Sequence, residues 1–170
     1  MRTLLKNKQF LKYALQLGEM PVLETDEDGN IQYDGFTDDD GNFFPYLDSN
    51  GNQIPKLTGN YEVLYGEPVD FKANISMSGG EAEAVEYGLS TEAYSAVMII
   101  ARDTVPLVEG AIIWYTSEPE YKYNGNEVSV EINDQTIRGR FTEKTSADFI
   151  VVRKSTSLNF DKYLLTAVNK

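Results

Sequence analysis

The chain has 170 residues, of which 41% are hydrophobic and 25% are charged, a composition typical of one soluble globular domain. It contains neither cysteine nor histidine, which excludes a disulfide framework, a thiol nucleophile and thiolate metal sites, and removes the commonest general base and metal ligand. The formal net charge of −12 argues against a protein that binds nucleic acid over its whole surface, because such binding requires basic side chains that neutralise the phosphates.

Charge is distributed unevenly along the chain. Residues 1–18 carry a net charge of +4, residues 19–55 carry −10 without a single basic residue, and the remainder carries −6. This segregation predicts a basic N-terminal arm over residues 1–23, an acidic excursion over 24–60 and a globular body over 61–170. No stretch is typical of a secretion signal or a membrane span, so we expect a protein made in a cytoplasm, without a membrane partner.

The N-terminal arm fits two patterns. Leu4, Lys8, Leu11 and Leu15 fall at helical spacing. Residues 10–15 equally fit a strand that turns at Gly18-Glu19 into a second strand over 21–23, and we favour the strand.

A repeat marks the acidic excursion. The motifs DEDGN, DDDGN and DSNGN begin at residues 26, 38 and 48. Asp-Gly and Asn-Gly supply the positive φ angles of tight turns, so the motifs predict a series of short hairpins or an extended ordered loop. A calcium loop would need glycine at position six and glutamate at position twelve, whereas here glycine comes fourth and position twelve from Asp26 is Thr37, so the turn interpretation is preferred.

The body shows strand patterns. Residues 69–77 alternate apolar and polar side chains, and residues 81–87 predict a short helix that ends at Gly88. Further strands are expected over 95–102, 110–116, 147–154 and 160–168. An insertion over 117–146 contains a hairpin in which Val130 faces Ile137 and Glu127 faces Arg140. The predicted fold is mainly β: a small antiparallel barrel or sandwich with one short helix, long loop excursions and an extended N-terminal arm.

No catalytic, cofactor or metal site emerges from the pattern. Ser78-Gly79-Gly80 before the short helix resembles an anion-binding turn, but Glu81 and Glu83 stand where a phosphate would bind, so a hinge is preferred. Acidic pairs that could hydrolyse glycosides cannot be singled out among 27 acids. Trp114 lies in an apolar strand and is predicted to be core.

Four stretches carry a family resemblance: MRTLLKNK at residues 1–8, FKANISMSGGEAEAVEYG at 71–88, IWYTSEP at 113–119 and DFIVVRKSTSLN at 148–159. They resemble the head–tail connector proteins of long-tailed bacteriophages, in particular the head-closure or stopper class of phages and prophages of Gram-positive bacteria. The 71–88 stretch is the most specific part of the match. The residues that carry the motif are Phe71, Ala73, Ile75, Gly80, Glu81, Ala82, Glu83, Tyr87, Gly88 and Trp114.

The resemblance implies a structural virion protein rather than an enzyme, with no cofactor. Such a protein forms a closed ring of copies, expected to be a dodecamer, in the neck between capsid and tail. It joins the portal and head–tail adaptor to the tail terminator or tail tube and helps retain packaged DNA until ejection. It would enclose double-stranded DNA without binding it specifically, since an acidic wall does not adhere to DNA.

Segregated charge suggests where such a ring makes its contacts, because a ring repeats one contact between two different faces. A strand added by a partner is also expected, since a small β body offers edges. The candidate interface residues are Arg2, Lys6, Lys8, Lys12, Asp26, Asp28, Asp38, Asp39, Asp40 and Asp48.

Three alternatives remain open. A tail terminator or another neck protein is the near neighbour, whereas the adaptor class is mainly helical. An acidic DNA mimic that inhibits a nucleic-acid enzyme would use the same charge as a monomer or dimer. A calcium-stabilised extracellular binding module is the third.

Overall fold

The computed structural model describes residues 8–77 and 95–168, which fold mainly as β-strands. The strands are β1 (Gln9–Ala14), β2 (Gln16–Leu23), β3 (Gly35–Thr37), β4 (Phe43–Pro45), β5 (Leu57–Tyr65), β6 (Val69–Ser76), β7 (Ala96–Ala101), β8 (Ile112–Trp114), β9 (Val128–Ile132), β10 (Gln135–Gly139), β11 (Phe149–Thr156) and β12 (Phe160–Ala167). They belong to two compact units. The second comprises Leu17–Leu64 and Tyr121–Arg140, and the first comprises the other described residues.

The first unit is a closed barrel of six antiparallel strands in the order β1-β6-β7-β12-β11-β8. The short strand β8 completes the circle, since it pairs with β11 on one side and with β1 on the other, where Lys12 lies opposite Trp114. The prediction of a mainly β fold with an antiparallel barrel is confirmed. Closure pairs every strand of the barrel on both sides over part of its length, which reduces the open edge expected of the β body.

The interior of the barrel is filled by alternate residues of its strands. Phe71 and Ala73 of β6 point inward, whereas Lys72 between them is exposed. This period-two burial arises because successive side chains of a strand project to opposite faces. The buried cluster contains Leu11, Tyr13, Phe71, Ala73, Ala96, Met98, Ile100, Leu107, Ala111, Ile113, Phe149, Val151, Tyr163 and Leu165.

Strand β8 is buried on both faces. Ile113 belongs to the barrel interior, and its neighbours Ile112 and Trp114 are as fully buried. The Trp114 indole N–H donates a 3.0 Å hydrogen bond to the hydroxyl of Ser146, which lies in the short 3-10 turn Lys144–Ser146. The predicted core position of Trp114 is confirmed, and its one polar atom is satisfied.

The basic N-terminal segment is part of the fold from Gln9 onward. Residues 9–14 form barrel strand β1, so the favoured strand interpretation is confirmed there. The turn expected at Gly18-Glu19 is wrong: both residues lie inside β2, which pairs with β5. Gly18 instead carries a φ of +138° within the strand, a conformation that favours glycine.

The 128–139 region forms the predicted hairpin. Val130 lies opposite Ile137, as expected. Asn133 and Asp134 at its tip have φ values of 51° and 61°, the geometry of a two-residue type I′ turn. The Glu127 carboxylate lies 3.3 Å from Nε of Arg138.

Three sequence-based predictions lie outside the described residues. These are the helix over 81–87 ending at Gly88, the hinge at Ser78-Gly79-Gly80, and the structure of residues 1–7, which include Arg2 and Lys6.

Replacing a core aromatic residue should weaken folding strongly. Phe71→Ala and Trp114→Ala should each lower the free energy of unfolding by roughly 3–5 kcal/mol, since each removes a large buried ring and leaves a cavity. Chemical denaturation measures the change. Leu158→Ala is the control, because Leu158 is 84% exposed; equal effects in all three variants would contradict the assignment of the core.

Gly18 should be irreplaceable for a steric reason. A Cβ at Gly18 would collide with Cγ2 of Ile132, whereas a Cβ at Gly51, whose φ is also positive, would meet nothing within 4 Å. Gly18→Ala should therefore cost about 1–3 kcal/mol more than Gly51→Ala, the range typical of overpacking. Equal unfolding free energies of the two variants would show that Ile132 moves aside without cost.

Candidate interaction surface

The three Asp-Gly-Asn turns of the second unit share one hydrogen-bond pattern. In the first turn, Oδ1 of Asp26 accepts from the backbone N–H groups of Asp28 (3.0 Å) and Asn30 (2.8 Å), and the Asn30 amide donates to Oδ2 (3.1 Å). Asp38 and Asp48 make the same contacts in their own turns. These hydrogen bonds, chiefly those from the asparagine four residues later, lower the pKa of each aspartate. The prediction of turns is confirmed.

Closed cycles of backbone hydrogen bonds tie the turn-bearing segments together. Each cycle contains three residues from three separate segments. The backbone N–H of each residue donates to the carbonyl oxygen of another member, and the N···O distances are 2.8–3.0 Å. Glu24, Lys56 and Gln32 form one cycle, and Asp34, Ile54 and Tyr46 form the other. This excursion is thus organised by backbone pairing and by turns.

An aromatic cluster projects from the hairpin of β3 and β4. Phe36 and Phe44 lie opposite each other in the register, and their rings stack with centroids 5.3 Å apart and planes 19° apart. The Tyr46 ring lies 6.3 Å from that of Phe36. All three side chains are about half exposed, at 54%, 45% and 52%. Contiguous exposed apolar groups of this kind mark interaction surfaces.

Acidic side chains accompany the aromatic cluster. Asp39 and Asp40 are exposed in the turn that joins β3 to β4, and Asp34 is exposed two residues before Phe36. No basic residue occurs between residues 19 and 55. We call Phe36, Phe44 and Tyr46, together with Asp34, Asp39 and Asp40, the aromatic–acidic face.

The close fit of the hairpin depends on one glycine. A Cβ on Gly35 would collide with the carbonyl oxygen of Phe44 and would lie 2.6 Å from Cζ of Phe43. The Phe43 ring therefore lies against the bare backbone of Gly35. The absence of a side chain at residue 35 lets the two short strands approach with Phe36 and Phe44 in register.

A further exposed aromatic residue lies on the outer surface of the barrel, among charged side chains of both signs. Phe10 on β1 is 73% exposed, and Nζ of Lys72, directly opposite on β6, lies 4.3 Å from the centre of its ring. Lys8 lies just before β1 and is partly exposed. The exposed Asp70 of β6 lies opposite Lys12 on the same side as Phe10 and Lys72. Lys12 forms a 2.7 Å ion pair with Glu118.

Asp148 anchors the chain that leaves β8. Its Oδ2 accepts hydrogen bonds from the backbone N–H groups of Tyr115, Thr116 and Ser117 at 2.8–2.9 Å, and its Oδ1 accepts from the Ser117 hydroxyl at 2.6 Å. Partial burial acts to raise the pKa of Asp148, but these donors outweigh it and hold the pKa far below the usual value. The carboxylate fixes the turn rather than facing a ligand.

A buried ionic cluster lies inside the barrel wall. Asp161 is fully buried, accepts a 2.8 Å hydrogen bond from the Thr156 hydroxyl and lies 3.6 Å from Nζ of Lys154. Burial acts to raise the pKa of Asp161, but the hydrogen bonds and the Lys154 charge lower it overall. A buried carboxylate with these partners is satisfied, so its role is structural.

The residues on which the resemblance was based fall in the core or against it where the structure describes them. Phe71, Ala73 and Trp114 are buried, and Ile75 is partly buried against the barrel interior. The others lie outside the described residues: Gly80, Glu81, Ala82, Glu83, Tyr87 and Gly88.

The candidate interface acids separate into two groups. Asp26, Asp38 and Asp48 accept hydrogen bonds within their own turns. Asp28, Asp39 and Asp40 are exposed, as are Asp26 and Asp48. The sequence reasoning missed the aromatic residues beside them. The signal was available, because Phe36 and Phe44 stand symmetrically about the 38–42 turn, so a hairpin there must bring their rings together.

The comparisons with known proteins found no matching family model, no matching curated protein and no matching solved structure. In the part of the chain that the structure describes, no group of three or more acidic side chains is arranged to hold a metal ion. Within residues 8–77 and 95–168, no helix is long and apolar enough to cross a membrane.

Asp148 should make the fold sensitive to acid. Because its pKa is lower in the folded than in the unfolded state, its contribution is complete above the unfolded pKa and is lost as pH falls below about 5. Asp148→Asn should lower the free energy of unfolding at neutral pH by about 1–3 kcal/mol, since backbone N–H groups lose acceptors. It should also flatten the dependence of stability on acid pH. Asp39→Asn, at an exposed turn position, is the control and should do neither.

Proposed function

We propose that this chain is a structural protein of a bacteriophage virion, a head-closure ring of the neck. The ring joins the portal–adaptor complex to the tail and helps retain packaged DNA. The protein would be made in the host cytoplasm and would need no cofactor. The observation that carries the proposal is the aromatic–acidic face, an ordered and exposed surface whose chemistry suits contact with another protein.

Two further properties support this role. The resemblance over residues 71–88, 113–119 and 148–159 falls on the chain that includes barrel strands β6, β8 and β11. The net charge of −12 with no histidine or cysteine fits a conduit wall that must let DNA slide past and carries out no chemistry.

The experiment that tests the proposal is assembly on the natural neighbours. The full chain would be mixed with the portal–adaptor complex from the genome that encodes it. Mass measurement and electron microscopy would compare the mixture with the chain alone. We expect an added closed ring on the adaptor end of the complex. Particles made without this protein should have filled heads that lack tails or lose DNA.

The alternatives give different results. A tail terminator would bind purified tail tubes and not the portal–adaptor complex. A DNA mimic would stay a monomer or dimer and would inhibit a nucleic-acid enzyme without binding either phage component. Either result would overturn the proposal of a head-closure ring.

A further inference from the structure

We propose that Asn50, in the third aspartate turn, is a site of covalent self-modification, at which the folded chain converts its own asparagine to aspartate or isoaspartate. The reaction needs only water and is independent of the proposed ring. The attacking group is the backbone nitrogen of the next residue, Gly51, and glycine has no side chain that would hinder its approach.

The chemistry involves the Asn50 side-chain amide, the Gly51 backbone nitrogen and one water molecule. The Gly51 nitrogen loses its proton and attacks Cγ of Asn50, and the new C–N bond closes a succinimide ring. The C–N bond of the side-chain amide breaks, and its nitrogen takes up the proton and leaves as ammonia. Water then opens the ring. Cleavage of the bond to Cγ gives aspartate, whereas cleavage of the bond to the backbone carbonyl carbon gives isoaspartate.

The Asn50 side chain is free to rotate toward Gly51. Asn50 is exposed, and its backbone N–H donates to Oδ1 of Asp48 at 2.8 Å. Within residues 8–77 and 95–168, its side-chain amide makes no hydrogen bond. A Cβ at Gly51 would meet nothing within 4 Å, so the space around the attacking nitrogen is open as well. Rotation of the Asn50 amide therefore costs no hydrogen bond of that side chain.

A second Asn-Gly pair, at residues 124 and 125, provides a comparison within the same chain. Both pairs are followed by asparagine, so their local sequences are closely matched. The amide of Asn124 is held, since it donates to the carbonyl oxygen of Asp28 at 2.9 Å and to Oδ1 of Asn30 at 3.1 Å. Both hydrogen bonds must break before Cγ of Asn124 can turn toward the nitrogen of Gly125.

The two glycine nitrogens, in contrast, are similarly restrained. The Gly51 N–H donates to the carbonyl oxygen of Asp48 at 3.1 Å, and the Gly125 N–H donates to that of Lys122 at 3.0 Å. Their φ angles are 82° and 74°. Opening of these backbone bonds slows both sites alike, so the difference between the two sites lies in their asparagine amides.

The first two turns show what the aspartate product does to the third. Asp28 and Asp40 occupy the corresponding positions, and their backbone N–H groups make the same contact as that of Asn50. Aspartate at residue 50 therefore fits the turn and adds one negative charge to the chain. Isoaspartate instead inserts a methylene carbon into the main chain, which moves the Gly51 N–H away from its acceptor.

The experiment compares the two pairs in one sample of the full chain, incubated at neutral pH in heavy-oxygen water. Peptide mapping by mass spectrometry counts the labelled product at each position. We expect Asn50 to convert about tenfold or more faster than Asn124, because two hydrogen bonds hold the Asn124 amide. In urea, where these contacts are lost, the two rates should become similar.

Three outcomes would overturn the inference. The first is equal conversion of both pairs, or faster conversion of Asn124, in the folded chain. The second is an intact Asn50 in the folded chain under conditions in which the unfolded chain reacts at both pairs. The third is a difference that persists undiminished in urea, because the flanking sequence and not the fold would then protect Asn124.

Two variants provide matched controls. Asn50→Gln should abolish conversion at residue 50 and leave the rate at Asn124 unchanged, because a longer side chain must close a larger ring. Asn30→Ala removes one of the two acceptors of the Asn124 amide and should accelerate conversion there by about three- to tenfold, as expected for the loss of one hydrogen bond. It should leave the rate at Asn50 unchanged; an unaltered rate at Asn124 would contradict the protective role of these contacts.

Discussion

The closure of the barrel by β8 is the constraint on which the first unit depends. This strand has three residues, yet it pairs with β1 and β11 and is buried on both faces. The chain leaving β8 is held by Asp148, whose carboxylate gathers three consecutive backbone N–H groups. Closure pairs each barrel strand on both sides over part of its length, and exposed side chains such as Phe10 and Lys72 lie on the outer surface of the barrel.

The second unit cannot rely on a large apolar core in its turn region, because residues 24–56 contribute few buried apolar side chains. Repeated aspartate turns satisfy backbone donors locally, and two hydrogen-bond cycles each join three segments of the chain. These interactions fix backbone conformation without requiring a large core. The aromatic residues of the region are thereby left available, with Phe36 and Phe44 stacked at the surface.

Sequence predicted the fold where a single local pattern decides the outcome. The alternation over 69–77 marked β6, and the apolar stretch around Trp114 marked the closing strand. Val130 facing Ile137 followed from the two-residue turn between them. The prediction of a turn at Gly18-Glu19 was wrong because glycine also occurs where a neighbouring side chain lies against the backbone, as Ile132 does at Gly18. The cycles were beyond prediction, since they join backbone groups from segments up to 32 residues apart, such as Glu24 and Lys56.

The charges of the acidic excursion are not equivalent. Asp26, Asp38 and Asp48 are bound by N–H groups and asparagine amides of their own turns, so much of their capacity to accept hydrogen bonds is already used. Asp39 and Asp40 are exposed in the turn that joins the strands of Phe36 and Phe44. Counting acids in the sequence therefore overstates the number of carboxylates whose hydrogen-bonding capacity is unused, although all of them keep their charge. The second turn differs from the first by its flanking phenylalanines, which put a stacked ring pair and exposed carboxylates in one hairpin.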